Sequence, residues 1–262
     1  RTKDVDGTRM SGWFSEDFTL AEIKTLRCIE RIPDIRPANR HFDGQFEVPT
    51  LREILGVVRD HEQRLGRRIG IYPETKHPTH FARLGLAMEP ALVALLNDYG
   101  YARKDDPVYV QSFEPTSLKK LRTLTPLALI QLLEEGGAPF DARLTGETYD
   151  AMATAAGLAQ IATYADGIGP NKQRVIARDT GNRLVPQPTR LVRDAHAAGL
   201  EVHAYTFRAE NYFLPTELRR GDDPAVCGDL ESEIHAYLAA GIDGLFVDHV
   251  PYARRAVDVF GR

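Results

Sequence analysis

Ile69-Gly70-Ile71-Tyr72-Pro73-Glu74-Thr75-Lys76 is a short apolar run that ends in two opposite charges, and what surrounds it decides the fold. A helical pattern near 83–99 follows it, then Val108–Phe113 as a second strand with a helix near 115–123. The alternation continues with strand Leu127–Leu133, a helix near 147–162, strand Tyr164–Ile168, a helix near 189–198 and strand Leu200–Phe207. A helix near 230–240, strand Gly244–Val247 and a helix near 251–259 complete it. Strands alternating with helices predict a parallel sheet covered by helices. Gly100, Gly199 and Gly241 each follow a helical pattern, where a left-handed residue stops a helix. Six strand–helix units are visible, whereas a closed (β/α) barrel needs eight. An open doubly wound sheet and a barrel lacking its first two units both fit that count. Gly167-Ile168-Gly169 would need a third glycine where Lys172 stands, so the dinucleotide-binding fingerprint is not met.

Upstream of this rhythm, Thr19-Leu20-Ala21-Glu22 and Thr50-Leu51-Arg52-Glu53 read as capping boxes, in which the Thr hydroxyl and Glu carboxylate satisfy orphan amides at a helix start. The second opens a helix with Leu51, Ile54, Leu55 and Val58 on one stripe. Residues 31–49 carry three prolines and read as an excursion loop, and the opening RTKDVDGTRMSG reads as a polar loop. The chain starts with Arg1 rather than Met, which leads us to expect further residues upstream, so localisation is not read from this terminus.

The 262 residues suit one large domain, and 43% apolar with 27% charged residues is globular composition, not disorder. Lys and Arg total 33 against 37 Asp and Glu, so no basic surplus exists to neutralise a nucleic-acid backbone. No uncharged apolar run approaches the ~18 residues that a membrane helix needs. Cys28 and Cys227 are the only cysteines, which excludes a disulfide scaffold and a cysteine-based zinc site.

In parallel α/β folds reactive side chains gather at the carboxyl ends of strands. Glu74 and Lys76 end the first strand pattern, and the period of two sends both to one side, toward a shared cavity. A carboxylate suits a hard cation such as Ca²⁺ or Mg²⁺, and an ammonium suits phosphoryl oxygens bearing transition-state charge. A same-face ion pair at a strand end is the plainer reading of the same spacing. Phe113 and Tyr205 end later strands, where they either cover the apolar part of a ligand or simply pack. Ser112 reads as an interior filler, and Asp166 and Asp248 as loop anchors. His77 and His80 sit in too short a turn to fix a zinc site with Glu74. His61-Glu62 lacks the second histidine of a metalloprotease helix, since position 65 is Leu65, and no G-x-S-x-G elbow occurs.

As an ordered set, these segments resemble glycerophosphodiester phosphodiesterases, especially the bacterial periplasmic branch. The third-strand motif of that family is similar to Ile69–Lys76, and its preceding segments to Asp17–Leu26 and Val48–Glu53. Val110–Phe113, Tyr164–Pro170, His203–Thr206 and Gly241–Asp248 follow in family order. The resemblance implies a TIM-barrel (β/α)₈ fold of the phospholipase-C-like phosphodiesterase type, with the first two β/α units missing from this chain. Residues 1–50 would then be part of an insertion and a helical segment before the third strand, and residues 51–262 units three to eight of one barrel. It implies hydrolysis of a small-molecule glycerophosphodiester to sn-glycerol 3-phosphate and an alcohol, in the periplasm or outside the cell. The divalent cation, Ca²⁺ or Mg²⁺, would use Glu74 as one ligand; Lys76 would be the catalytic cation, and Gln111, Phe113 and Tyr205 would line the substrate. The family's His-Arg pair, second-strand acidic pair and following His-Asp are not in this sequence, so the chain alone is expected to show no appreciable turnover. Two other readings stand beside this one. Lys76 could form a Schiff base in a sugar-phosphate aldolase, or the chain could be a barrel-derived binding protein without catalysis.

Overall fold

Asp6-Gly7, read above as part of a loop, makes a two-residue turn. Both residues have positive φ, 54° and 76°, and strands β1 (Thr2–Val5) and β2 (Thr8–Ser11) pair antiparallel around them. An Asp-Gly pair suits this turn because both central positions need the left-handed region. The sequence pattern hid the hairpin because β2 is exposed at every position and shows no apolar alternation. A computed structural model describes residues 1–142 and 145–261. The one tryptophan, Trp13, follows β2 and is 89% exposed, its ring 6.0 Å from that of Phe18.

Both expected capping boxes form, at Thr19 for α1 (Leu20–Ile23) and at Thr50 for α2 (Leu51–Leu65). Of the α2 stripe only Leu55 is fully buried, and Ile54 is exposed. Between the two helices lies a short 3₁₀ turn, Pro37–Phe42. Arg36 at its start reaches across the molecule: Nε donates to Glu210 at 2.5 Å and Nη2 to Asp248 at 2.8 Å. That contact ties the first fifty residues to the far end of the chain.

Six parallel strands pair in chain order: β3 (Glu74–Thr75), β4 (Tyr109–Ser112), β5 (Ala128–Leu133), β6 (Gly167–Pro170), β7 (Glu201–Phe207) and β8 (Gly244–Val247). Helices α3 (Pro78–Arg83), α4 (Glu89–Asp98), α5 (Pro115–Leu124), α6 (Tyr149–Met152), α7 (Ala155–Ile161), α8 (Leu191–Ala197), α9 (Leu230–Ala239) and α10 (Val250–Val259) follow or separate them. A flat sheet would set β3 and β8 about 24 Å apart at ~4.8 Å per strand. Instead Tyr72, just before β3, packs on Phe246 of β8 with ring centres 4.7 Å apart, and Phe113 after β4 meets Tyr205 of β7 at 6.1 Å. The sheet is therefore strongly curled, with its ends brought near each other. This is the TIM-barrel type of architecture, and the open doubly wound alternative does not describe it. The outward side chains Val110, Leu129, Ile168 and Val202 are buried in the core with the helices' apolar faces. Gly167 and Gly169 serve the strand packing rather than a nucleotide: a Cβ on Gly169 would stand 2.6 Å from Leu132, and one on Gly167 2.8 Å from the Glu201 carbonyl.

Several boundaries differ from the sequence reading for local reasons. Ile69–Tyr72 is not a continuous strand. Ile71 bridges Val108, but Pro73 has no N–H to offer, and the ladder resumes only at Glu74–Thr75. The helix expected near 83–99 begins only at Glu89, as α4, because Gly85 takes φ 75° and Pro90 opens the helix, and the short α3 before it was not expected. The helix expected near 147–162 is divided into α6 and α7, each with its own threonine cap, Thr148 and Thr154. The fourth expected strand begins at Gly167 rather than Tyr164, whose hydroxyl instead donates to Gln131 Oε1 at 2.9 Å. Gly100, Gly199 and Gly241 all take positive φ at helix ends, as expected.

Candidate active site

Parallel pairing puts Glu74 of β3 directly opposite Gln111 of β4, and the period of two carries Phe113 to the same side as Gln111. Across the curled sheet, Tyr205 lies toward the carboxyl end of β7 and Phe246 near that of β8. These ends enclose a cavity of about 410 Å³ whose walls include Glu74, Lys76, Gln111, Phe113 and Tyr205. All five residues singled out from the sequence thus share one cavity. Leu132, Glu134, Thr206 and Phe246 also line it and were not anticipated. Glu134 follows directly on the marked run Leu127–Leu133, and Thr206 lies inside the marked run Leu200–Phe207, so the polar residues at those two strand ends were the signal that could have found them.

Glu74 and Lys76 face each other as the spacing predicts, Nζ standing 3.8 Å from Oε1. Lys76 is largely exposed, whereas Glu74 is mostly buried. Burial pushes the Glu74 carboxyl above the usual carboxylate range, against the pull of the Lys76 and His77 charges. Glu74 Oε1 and Gln111 Oε1 are both buried acceptors without a hydrogen-bond partner. Such atoms cost of order 1–3 kcal/mol each when nothing satisfies them. Phe113 and Tyr205 stand edge to face, and the Tyr205 hydroxyl donates to the Leu133 carbonyl at 3.2 Å, which fixes its ring.

Beneath the cavity, toward the amino ends of the strands, Tyr72 and Tyr109 stack at 5.1 Å, and the Tyr72 hydroxyl lies 2.9 Å from His203 Nδ1. Burial holds the His203 imidazole below its ordinary range and pushes the Tyr109 phenol up to about 12. This aromatic layer forms a floor, and His203 sits in it rather than in the cavity walls. His77 and His80 do not converge with Glu74 on a zinc site. They pair separately, His77 with Asp6 at 2.5 Å and His80 with Glu16 at 3.2 Å. Asp166 is the anchor expected of it, accepting from Arg122 at 2.5 Å and from the Leu129 amide at 2.9 Å. Ser112 is fully buried, its hydroxyl spent on the Thr75 carbonyl at 3.2 Å.

A curled parallel sheet wrapped by helices, with a polar cavity at its carboxyl ends, defines a barrel-type α/β protein of the kind that places its chemistry on the strand ends. The chain belongs to the glycerophosphoryl diester phosphodiesterase family, whose model matches residues 1–251. It is 34% identical over 261 residues to a glycerophosphodiester phosphodiesterase of Arabidopsis thaliana, a match covering 95% of this chain and 65% of that protein. A glycerophosphodiester phosphodiesterase of Haemophilus influenzae is 30% identical over 218 residues, 74% of this chain and 59% of the relative. The chain thus spans somewhat less than two thirds of the length of these relatives. Among solved structures, a glycerophosphoryl diester phosphodiesterase from Silicibacter pomeroyi DSS-3 shares the fold with a TM-score of 0.64 at 20% identity, over 99% of this chain and 75% of that one.

Proposed function

We propose that this chain carries the substrate-holding side of a glycerophosphodiester phosphodiesterase site, which releases sn-glycerol 3-phosphate and an alcohol. One observation carries the reading: a cavity at the strand ends joins an ammonium, Lys76, to two buried oxygens that accept no hydrogen bond, on Glu74 and Gln111, between aromatic walls. Those acceptors suit the hydroxyl donors of a glycerol, Phe113 and Tyr205 cover its carbon chain, and the Lys76 ammonium neutralises charge growing on the phosphoryl oxygens.

The family resemblance brings a divalent cation, Ca²⁺ or Mg²⁺, to Glu74. The residues here do not complete such a site. Six to eight oxygens surround Ca²⁺ and an octahedron surrounds Mg²⁺. Among the described residues no group of three His, Cys, Asp or Glu side chains is placed to hold a metal ion. The residues present thus leave a cation short of ligands, and the chain by itself is expected to bind diester with little turnover. The aldolase alternative is less well supported, since a Schiff-base lysine is activated by desolvation and Lys76 is 72% exposed.

Calorimetric titration with glycerophosphoglycerol tests the proposal. Wild-type protein should bind it, and Lys76→Met should weaken binding about tenfold, in line with ~1.4 kcal/mol for a charge-assisted contact. Absence of binding by the wild type rejects the reading. Glycerol 3-phosphate release that Glu74→Ala abolishes would show instead that the chain already holds a complete catalytic site.

A further inference from the structure

A second cavity of about 350 Å³ shares Glu134, Tyr205 and Thr206 with the first and extends from them toward the loops after β6 and β7. Its lining is of another character. Lys172, Arg178 and Arg208 stand in its walls against one carboxylate, Glu134, with amides around them. Glu134 is exposed and already accepts from the Asn171 side chain at 3.0 Å.

The cations are held rigidly and only partly spent. Glu233 of α9, fully buried, accepts from Lys172 at 2.7 Å and from Arg178 at 3.0 Å, so two cations share one carboxylate. The Arg178 side chain is nine-tenths buried. Its Nη1 donates to Asn182 and its Nη2 to the Phe213 carbonyl, while its Nε is buried without any hydrogen-bond partner. Arg208 gives its Nε to Asp248 at 2.9 Å and lies over the Phe213 ring, and its two terminal nitrogens donate to no group among the described residues. Asp248 in turn is shared between Arg208 and Arg36. The two terminal nitrogens of Arg208, fixed in a concave, amide-lined wall with the Arg178 charge beside them, are the chemistry of oxyanion recognition.

We infer that this second cavity binds an anionic group, a phosphate or a carboxylate, borne by the alcohol half of the diester. The inference rests on reading the first cavity as the diester site. With the glycerol and bridging phosphate beside Lys76, the alcohol continues past Tyr205 and Thr206 and brings its own anion to Arg178 and Arg208. Diesters of anionic alcohols are then preferred over those of neutral or cationic ones.

Calorimetric titration of this chain with four ligands decides it: glycerophosphoglycerol, its terminal phosphomonoester, glycerophosphoserine and glycerophosphocholine. The phosphomonoester should bind at least tenfold more tightly than glycerophosphoglycerol, with the advantage shrinking as salt rises. Glycerophosphoserine exceeding glycerophosphocholine would extend the site to carboxylates, and equality of that pair confines it to phosphate. Arg208→Gln, at a partly buried position, and Arg178→Gln should bring the phosphomonoester-to-glycerophosphoglycerol ratio toward one. Equal affinities in the wild type, or a ratio that survives Arg208→Gln, overturn the inference. Inorganic phosphate binding that depends on Arg208, in a protein that ignores glycerophosphoglycerol, would keep the anion site and reject the diester reading. Ordinary binding of glycerophosphoglycerol without any anion preference would do the reverse.

Discussion

Glu74 is held where its charge is disfavoured. Burial raises its carboxyl pKa, and the nearest cation, Lys76, is 3.8 Å away and mostly in solvent. A carboxyl whose folded pKa lies above its unfolded value destabilises the fold as pH rises through that folded value, and costs nothing below the unfolded one. Glu74→Gln should therefore raise the melting temperature at pH 7, by about 2–4 °C for each kcal/mol recovered, and the gain should vanish near pH 4. Thermal melts at the two pH values check this, and a variant that melts lower at pH 7 would show that the carboxylate is stabilised by contacts other than those described. The alternation of Glu74 and Lys76 was legible in the sequence because strand period is a local property. That Gln111 would stand opposite Glu74 was not, since register between two strands depends on the whole intervening helix and loop.

At the scale of elements, the sequence located best those strands whose ends coincide with a change in polarity. Gly244–Val247 falls where expected, and Glu201–Phe207 within one residue. It misplaced β3, where Pro73 interrupts an apolar run, and it merged α6 with α7, because alanine-rich helical composition runs through Ala151–Ala156 without a breaker. The threonine cap at Thr154 starts the second helix anew, and the corner between the two is packed tightly at Gly157, a contact invisible to composition. A Cβ there would stand 2.5 Å from the Met152 carbonyl oxygen and 2.6 Å from Met152 Cα. Alanine is the better helix former by about 1 kcal/mol, yet overpacking against backbone costs typically 1–3 kcal/mol and should win. Gly157→Ala is thus expected to lower the urea midpoint with an unchanged m-value. An increased midpoint would mean that the α6–α7 corner opens easily to admit the methyl group.

Over the whole molecule, the side-chain hydrogen bonds that span the most sequence among the described residues are those of Arg36, which binds Glu210 and Asp248 across 174 and 212 positions. Glu210 is 3% exposed, and without Arg36 its remaining ionic neighbour among the described residues is His249 at 3.5 Å. Breaking a buried pair by removing one partner costs about 3–5 kcal/mol, because the other charge stays buried. Arg36→Gln should therefore lower global stability by roughly that amount and speed amide hydrogen exchange around residues 30–43. Exchange unchanged there would show that the segment is held by its other contacts. No local pattern could announce this link: sequence reads neighbours, and a curled sheet brings together residues that are remote in the chain.

The hairpin end offers a practical corollary. Because Trp13 protrudes beside β2 while Tyr72, Tyr109 and Tyr205 lie within the sheet's concave side, indole emission and near-ultraviolet tyrosine dichroism watch separate territories. Denaturation followed by fluorescence alone would time the loosening of the amino-terminal arm, and only the tyrosine signal would record when the strands themselves come apart.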